Sequence, residues 1–192
     1  MDSTERAITP EISVTEAIKA EAAFKALQGS VYVQAPAAMA STPTTAEGYA
    51  RRGEGFMESR DYAKAYADFD RAVRLKPDNA RFLTARGRSL TESRQFDRAQ
   101  ADFDRALALE PTLSQIHNAI GILRLRQDRP DDAVAEFAKA ITMSPEDGSA
   151  YMGRAESYFA RRNFKEAAAD YARSLELRPG VYEAWRKLAY AH

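Results

Sequence analysis

The sequence predicts an all-α fold, an α-solenoid built from stacked helix-turn-helix repeats. Three observations carry this prediction: a proline, an aromatic residue and an alanine each recur at intervals of 34 residues in four consecutive stretches of the chain. The recurring residues are Pro77, Pro111, Pro145 and Pro179; Phe69, Phe103, Phe137 and Tyr171; and Ala65, Ala99, Ala133 and Ala167. A fixed period of this length indicates one small unit stacked on itself rather than a single wrapped core. Such an architecture favours a binding scaffold over an enzyme.

The period divides the second part of the chain into units, each of which is predicted to form two helices. The units span 46–79, 80–113, 114–147 and 148–181, followed by an incomplete fifth unit or capping helix at 182–192. Each unit holds two apolar-periodic segments of about a dozen residues, separated by a polar break such as Arg60-Asp61. The proline ends the second segment, because it lacks an amide hydrogen and disfavours helical geometry in the residue before it.

Small residues in the first segments predict where the two helices of a unit approach each other closely. They are Gly53, Gly87, Gly121 and Ala155. In the third unit we expect Gly121 to face Ala133 across the helix pair.

The second segments carry a regular charge pattern, in which an acid stands three residues before a base. The pairs are Asp68 with Arg71, Asp102 with Arg105, Glu136 with Lys139, and Asp170 with Arg173. Side chains at this spacing share one face of a helix. We interpret the pairs as a solvated surface without a binding role.

Residues 1–45 differ from the repeats. Apolar residues from Val14 to Leu27 fall near one helical face, which predicts a short helix over 15–27 that ends before Gly29. The stretch from Pro36 to Thr45 is rich in proline, serine and threonine and predicts a flexible linker.

The composition excludes several classes of function. Basic and acidic residues balance at 28 each, so no overall field favours nucleic acid or an anionic membrane. Cysteine is absent, which rules out disulfides, thiolate zinc sites and cysteine nucleophiles. No apolar run is long enough to span a bilayer. We expect a cytoplasmic protein, while a periplasmic or secreted location stays open.

The repeat pattern resembles that of the tetratricopeptide repeat family over residues 46–192. The family's large, small, aromatic, alanine and proline positions are occupied by Tyr49, Gly53, Phe56, Ala65, Phe69, Ala72 and Pro77; by Leu83, Gly87, Leu90, Ala99, Phe103, Ala106 and Pro111; by His117, Ile120, Gly121, Ala133, Phe137, Ala140 and Pro145; by Tyr151, Ala155, Tyr158, Ala167, Tyr171, Ser174 and Pro179; and, in the fifth unit, by Trp185, Leu188 and Ala189. The departures are Arg52, Arg86 and Arg154 at a leucine-like position, Arg124 at an aromatic one and Ser174 at an alanine. The resemblance implies a right-handed superhelix whose first helices line the concave side and whose second helices cover the convex side.

Residues suited to catalysis are scarce, so we expect no catalytic residue, metal site or cofactor. His117 occupies a packing position of the family and His192 is the last residue. The sequence has no phosphate-binding glycine loop, no HExxH and no nucleophile elbow. The acids at Asp131-Asp132 and Glu146-Asp147 stand where helices are predicted to begin, where an acid favours the helix dipole.

The concave side is therefore the candidate binding site. The resemblance places nine residues of interest there: Arg51, Arg81, Arg88, Asn118, Ile122, Leu125, Arg126, Met152 and Phe159. We predict that the partner is a protein or peptide with acidic and apolar residues, the acid meeting Arg81 and Arg88. The alternative for the apolar members is packing between successive units. The clamp of lysines, asparagines and an arginine with which some family members hold a chaperone's terminal carboxylate is not matched in either register.

Two other readings of the whole chain remain open. One is that the array is a module of a larger enzyme or regulator. A structural array that self-associates through an open C-terminal end is the third reading, because solenoids need a polar terminal helix for solubility.

Overall fold

The computed structural model describes residues 43–179, and among these residues every regular element is an α-helix. The eight helices are α1 (Ala46–Glu58), α2 (Tyr62–Leu75), α3 (Ala80–Glu92), α4 (Phe96–Leu109), α5 (Ser114–Arg126), α6 (Pro130–Met143), α7 (Gly148–Ala160) and α8 (Phe164–Leu177). The all-α solenoid of helix-turn-helix units is confirmed. The predicted helix over 15–27, most of the linker and the fifth unit lie outside the described residues.

The first helix of every unit begins at the residue predicted from the period, and polar caps explain most of these starts. Three first helices have an N-cap side chain that accepts a hydrogen bond from a backbone N–H in the first turn: Thr45 from Gly48, Asn79 from Phe82 and Asp147 from Ser149. The second helix α2 is capped in the same way by Asp61, which accepts from Lys64. Helix α6 instead begins with Pro130 followed by Asp131 and Asp132, which suit the positive end of the helix dipole.

The turn within each unit reverses the chain with one residue in the left-handed region. These residues are Arg60, Arg94, Asp128 and Arg162, with φ between 58° and 62°. In the first unit the N–H of Arg60 donates to the carbonyl of Met57 at 3.1 Å, and that of Asp61 donates to the carbonyl of Phe56 at 2.8 Å. This Schellman arrangement satisfies carbonyls at the end of α1 and sets the angle between the two helices.

An aromatic ring holds the two helices of a unit together. A Cβ atom added at Gly53, Gly87 or Gly121 would lie only 2.7, 2.5 or 2.8 Å from the ring of Phe69, Phe103 or Phe137, respectively. The glycines therefore leave room for a ring of the second helix. The three atoms nearest to a Cβ at Gly121 all belong to Phe137, and the expectation that Gly121 faces Ala133 stays a prediction.

The same rings also join successive units. Ala85 of the second unit packs in one buried cluster with Phe69 of the first. Gly153 of the fourth unit approaches Phe137 of the third even more closely than Gly121 does. The rings of Phe69 and Phe137 thus each lie between two first helices, which joins units that could not bury their own apolar faces alone.

Three arginines that depart from the family pattern form ion pairs inside the units. Each of these arginines binds one aspartate on the second helix: Nε donates to one carboxylate oxygen and Nη2 to the other, at 2.6–2.8 Å. The pairs are Arg52 with Asp68, Arg86 with Asp102, and Arg154 with Asp170. These aspartates are only 4–7% exposed. Interpreting them as part of a solvated surface was therefore wrong: they are buried partners of arginines across the unit.

The third unit uses a different polar pair at this place. Ile120 replaces the arginine and is buried. Glu136 takes the place of the aspartate, and Nδ1 of His117 lies 2.7 Å from its Oε2. His117 is buried as expected for a packing histidine. Ser174, another departure, donates from its buried hydroxyl to the carbonyl of Gly148 at 2.7 Å and thereby ties α8 to α7.

The first helices lie on the inner side of the curve. Helices α1, α3, α5 and α7 contact one another in sequence, whereas the second helices of successive units make at most marginal contact. Helices α2, α4 and α6 pack instead against the first helix of the next unit. No helix within residues 43–179 is long and apolar enough to cross a membrane.

Candidate peptide-binding groove

A concavity of about 800 Å³ lies along the inner helices of the described units. Seven of the nine candidate residues line it: Arg81, Arg88, Asn118, Ile122, Leu125, Arg126 and Met152. The sequence therefore placed most of the candidate site on one surface. Arg51 and Phe159 are not among the lining residues.

Arg51 belongs to α1, the first helix of the first described unit. Its counterparts in the next three units are small and buried: Ala85, Ala119 and Gly153. These small residues line the concavity, and Ala85 and Gly153 also contact the aromatic ring of the preceding unit. Arg51 itself is exposed.

Phe159 lies at the far end of α7, where it packs against the first residue of α8. Its ring is 5.4 Å from that of Phe164, at an angle of 68°. This edge-to-face pair is a stabilising geometry for aromatic rings. The residue expected to be the apolar anchor of the groove therefore packs, in the last turn of α7, on the helix that follows.

The arginines of the groove differ in how they are paired. Nη1 of Arg88 lies 3.4 Å from Oε1 of Glu54, and Nη2 of Arg126 lies 3.1 Å from Oε1 of Glu92. Arg81, in the first turn of α3, makes no hydrogen bond or ion pair with any residue in 43–179. It is the cation that a ligand could engage without displacing a protein carboxylate.

Asn118 holds two units together. Its Nδ2 donates to Oγ of Ser149 at 2.9 Å and to Oδ2 of Asp147 at 3.2 Å. Asp147 in turn caps α7 by accepting from the backbone N–H of Ser149 at 2.9 Å. Both amide hydrogens of Asn118 are thereby engaged, which leaves its carbonyl oxygen for a ligand.

An apolar area follows the arginines along the groove. Ile122, Leu125 and Met152 are partly exposed and share the lining of the concavity. Had they packed between units, as the alternative reading proposed, they would be buried like Leu123, which is fully inaccessible. These three side chains give the groove an apolar surface in the same concavity as the guanidinium of Arg81.

Sequence reasoning missed the ion pairs across the groove, although a signal for them exists. Glu54 and Arg88 are 34 residues apart, as are Glu92 and Arg126, so each pair occupies one position in successive units. An acidic residue in one unit and a basic residue at the equivalent position of the next unit therefore indicate an ion pair between the two units. A smaller adjoining recess of about 470 Å³ contains the same four residues, together with Met57, Glu58, Arg60 and Tyr62.

No group of three or more histidine, aspartate or glutamate side chains within the described residues could hold a metal ion. The acids at the helix starts act as caps or first-turn residues instead, Asp147 at α7 and Asp131 and Asp132 at α6. The polar chemistry of the groove consists of guanidinium, carboxylate, amide and hydroxyl groups.

Comparison with solved structures finds proteins of the same architecture. PilW, described as a widely conserved type IV pilus biogenesis factor, is 25% identical with a TM-score of 0.66, over 78% of this chain and 70% of that one. Cut9 in the APC/C hetero-tetramer Cut9-Hcn1 is 18% identical with a TM-score of 0.65, over 77% of this chain; the match spans only 30% of the chain in that structure. The first TPR of Spaghetti (RPAP3), bound to an HSP90 peptide, is 23% identical with a TM-score of 0.56, over 59% of this chain and 90% of that one.

Comparison with sequence families gives the same result. No protein with a curated description matches the chain. Two family models described as tetratricopeptide repeat match it, one over residues 46–79 and the other over 84–147, 118–181 and 152–192. These matches cover most of the chain and follow the period seen in the helices. The chain belongs to the tetratricopeptide repeat family.

Proposed function

We propose that this chain is a protein-interaction module whose concave groove binds an extended segment of a partner protein, with one acidic side chain beside apolar ones. Modules of this family bind proteins, and a similar structure holds a peptide. The observation that carries the finer proposal is the guanidinium of Arg81, which has no partner among residues 43–179 and shares one concavity with Ile122, Leu125 and Met152.

The arrangement suits a segment that lies along several units. An acidic side chain at Arg81 would form a charge-assisted hydrogen bond, which fixes the position and direction of the segment. Apolar side chains further along would cover the exposed parts of Ile122, Leu125 and Met152, and removing that surface from water favours binding. Backbone groups of the segment could reach the free carbonyl oxygen of Asn118.

The identity of the partner is not transferred from the similar structures. The HSP90 peptide is a ligand of the first TPR of Spaghetti, which at 23% identity supports the fold alone. The corresponding clamp positions hold Ala50, Glu54 and Ala85 in the first register, and Thr84, Arg88 and Ala119 in the second. A ligand of different sequence is therefore proposed.

The proposal can be tested with peptides selected from a random displayed library by the wild-type protein. The selected peptides are then titrated against Arg81→Ala and Leu125→Ser variants. Loss of one charge-assisted hydrogen bond at Arg81 is expected to weaken binding about tenfold or more. Arg71→Ala is the matched control, because Arg71 is an exposed arginine on the convex helix α2.

The outcome that contradicts the proposal is equally specific. If selected peptides bind both groove variants as tightly as wild type, and if Arg71→Ala weakens them, the binding surface is convex. Circular dichroism of each variant establishes that the helices are retained.

A further inference from the structure

The charges that line the groove do not make a basic site. Three arginines, Arg81, Arg88 and Arg126, are accompanied by four carboxylates, Glu54, Glu92, Asp147 and Glu156. Two of the carboxylates lie directly on arginines. The groove therefore carries the groups needed to bind anions and also the groups that neutralise most of them.

We infer that Glu54 and Glu92 are selectivity residues, which restrict the groove to ligands with a single acidic group at Arg81 and reject runs of acids or phosphates. The inference rests on the proposed function, since it specifies which segments the groove accepts. It concerns residues that are not themselves expected to bind the ligand.

The geometry of the two ion pairs gives each glutamate a distinct arginine. Glu54 on α1 meets Arg88 on α3, and the two side chains are 46% and 43% exposed. On the next unit, both oxygens of Glu92 lie within 3.1–3.3 Å of guanidinium nitrogens of Arg126. Each carboxylate comes from the unit before its arginine, so the stack supplies the neutralising charge itself.

These pairs lie where a polyanion would have to bind. A second acidic group that reached Arg88 or Arg126 would have to displace Glu54 or Glu92 from it. The displaced carboxylate stays anchored on its helix within the same concavity and repels the newcomer. Since Glu92 also follows Arg88 by one turn of α3, it lies on the same helix face and adds to that repulsion.

No carboxylate among the described residues is paired with Arg81. This arginine stands at the second position of α3, is exposed and has no partner in the described part of the chain. A single carboxylate can pair with it without breaking an existing interaction. Discrimination against multiply charged ligands therefore comes from unfavourable groups built into the site, which is a common source of specificity.

Replacing the two glutamates should give the groove more positive than negative side chains. The variant Glu54→Gln/Glu92→Gln leaves three arginines against two carboxylates in the lining, with Arg88 and Arg126 unpaired. Glutamine keeps the size and polarity of each side chain, and at least one member of each pair is more than two-fifths exposed. The fold should therefore tolerate the change.

The test uses two polyanion probes, a fluorescein-labelled oligodeoxythymidine and poly-L-glutamate, measured by fluorescence anisotropy at low salt. We expect the double variant to bind both probes at least about tenfold more tightly than wild type, with strong salt dependence. The matched control is Glu110→Gln/Glu146→Gln, which changes the net charge equally at exposed sites outside the groove. Adding Arg88→Ala and Arg126→Ala to the double variant should abolish the gain.

Equal binding by the double variant and the control would overturn the inference, because the gain would then follow net charge alone. Libraries selected on the double variant should also yield peptides with more acidic residues than those selected on wild type; an unchanged acid content would count against it as well. The probe measurements need no peptide ligand. A gain of polyanion binding in the absence of peptide binding would therefore refute the proposed function and leave the role of the glutamates supported.

Discussion

Tyr171 takes the place that phenylalanine holds in the first three units, and its hydroxyl has no hydrogen-bond partner within residues 43–179. The side chain is fully buried, and burial together with the nearby charge of Glu156 raises the pKa of the phenol. A buried hydroxyl without a partner lowers stability. We predict that Tyr171→Phe raises the free energy of unfolding by about 1 kcal/mol, measured by urea denaturation.

The control for this prediction is the reverse change in an earlier unit. Phe103→Tyr places a hydroxyl where the apolar ring is fully buried and should lower the free energy of unfolding by about 1–3 kcal/mol. A loss of stability in Tyr171→Phe would mean that the hydroxyl has a partner outside residues 43–179.

Glu136 makes the stability of the third unit sensitive to acid. Burial opposes its ionisation, but hydrogen bonds with Lys139 and His117 outweigh burial and hold the pKa of Glu136 below its usual value. A depressed pKa stabilises the fold above the unfolded value of 4.5, and this contribution is lost as the pH falls through the folded pKa.

The corresponding variant is Glu136→Gln. It should lower the free energy of unfolding by about 1 kcal/mol at pH 7, and the difference from wild type should shrink as the pH falls below 4.5. Urea denaturation across this range measures it. The control Glu110→Gln, at an exposed carboxylate, should have the same free energy of unfolding as wild type at every pH. If the free energy of unfolding of Glu136→Gln stays below that of wild type by a constant amount down to the lowest pH, the prediction is contradicted.

The buried ion pairs show what the sequence conveys about single residues and what it does not. Arg52, Arg86 and Arg154 share one position in their units, and their aspartate partners share another; both positions change together in the third unit. That joint change was a usable signal. It was missed because the aspartates also stand three residues before a base, and spacing along one helix cannot tell an inward from an outward face.

The turn within each unit bears on stability at the scale of an element. Arg60 adopts φ of 60°, in a region that costs most residues with a Cβ atom energy. We predict that Arg60→Gly raises the free energy of unfolding by about 0.5–1 kcal/mol, since glycine enters this region without strain. Arg60→Val, at the same position, should lower it because branching at Cβ makes the region less accessible.

Thermal and urea unfolding of both variants check the prediction. If the valine variant is at least as stable as the glycine variant, the left-handed turn is not a determinant of stability. The exposed side chain of Arg60 makes no hydrogen bond or ion pair with a described residue, so its loss does not obscure the comparison.

The positions of the helices could be predicted because the repeat period, the N-cap residues and the prolines indicate the same helix boundaries. All four first helices begin where the period placed them, and prolines follow the second helices. The groove was predictable only in part. A position in the unit specifies a helix face, but whether a side chain there lines the concavity or packs on another side chain depends on a neighbour in space, such as Phe164 beside Phe159.

At the scale of the whole molecule, a destabilising mutation in one unit should also destabilise the units next to it. Gly153→Ala puts a methyl group against the ring of Phe137, which two first helices already clamp. Alanine normally stabilises a helix relative to glycine. Here we predict a loss of about 1–3 kcal/mol from overpacking.

Hydrogen exchange should show where the loss acts. Amides of the third and fourth units should exchange faster in Gly153→Ala, while those of the first unit remain close to wild type, because each unit contacts only its neighbours. Phe137→Leu should recover part of the stability when combined with Gly153→Ala, since the two positions are in contact. Uniform acceleration across all units would indicate a single cooperative core instead.

Arg51 limits how an array of this design can be lengthened. A new copy of the unit placed ahead of Ala46 would bring its own aromatic ring against position 51, where the later units carry alanine or glycine. The arginine side chain would occupy the space for that ring. Duplication of the second, third or fourth unit meets no such obstacle, because each copy would bring a small residue with it. Gene duplication or protein engineering would therefore extend this scaffold from its middle, or by exchanging Arg51 for alanine first.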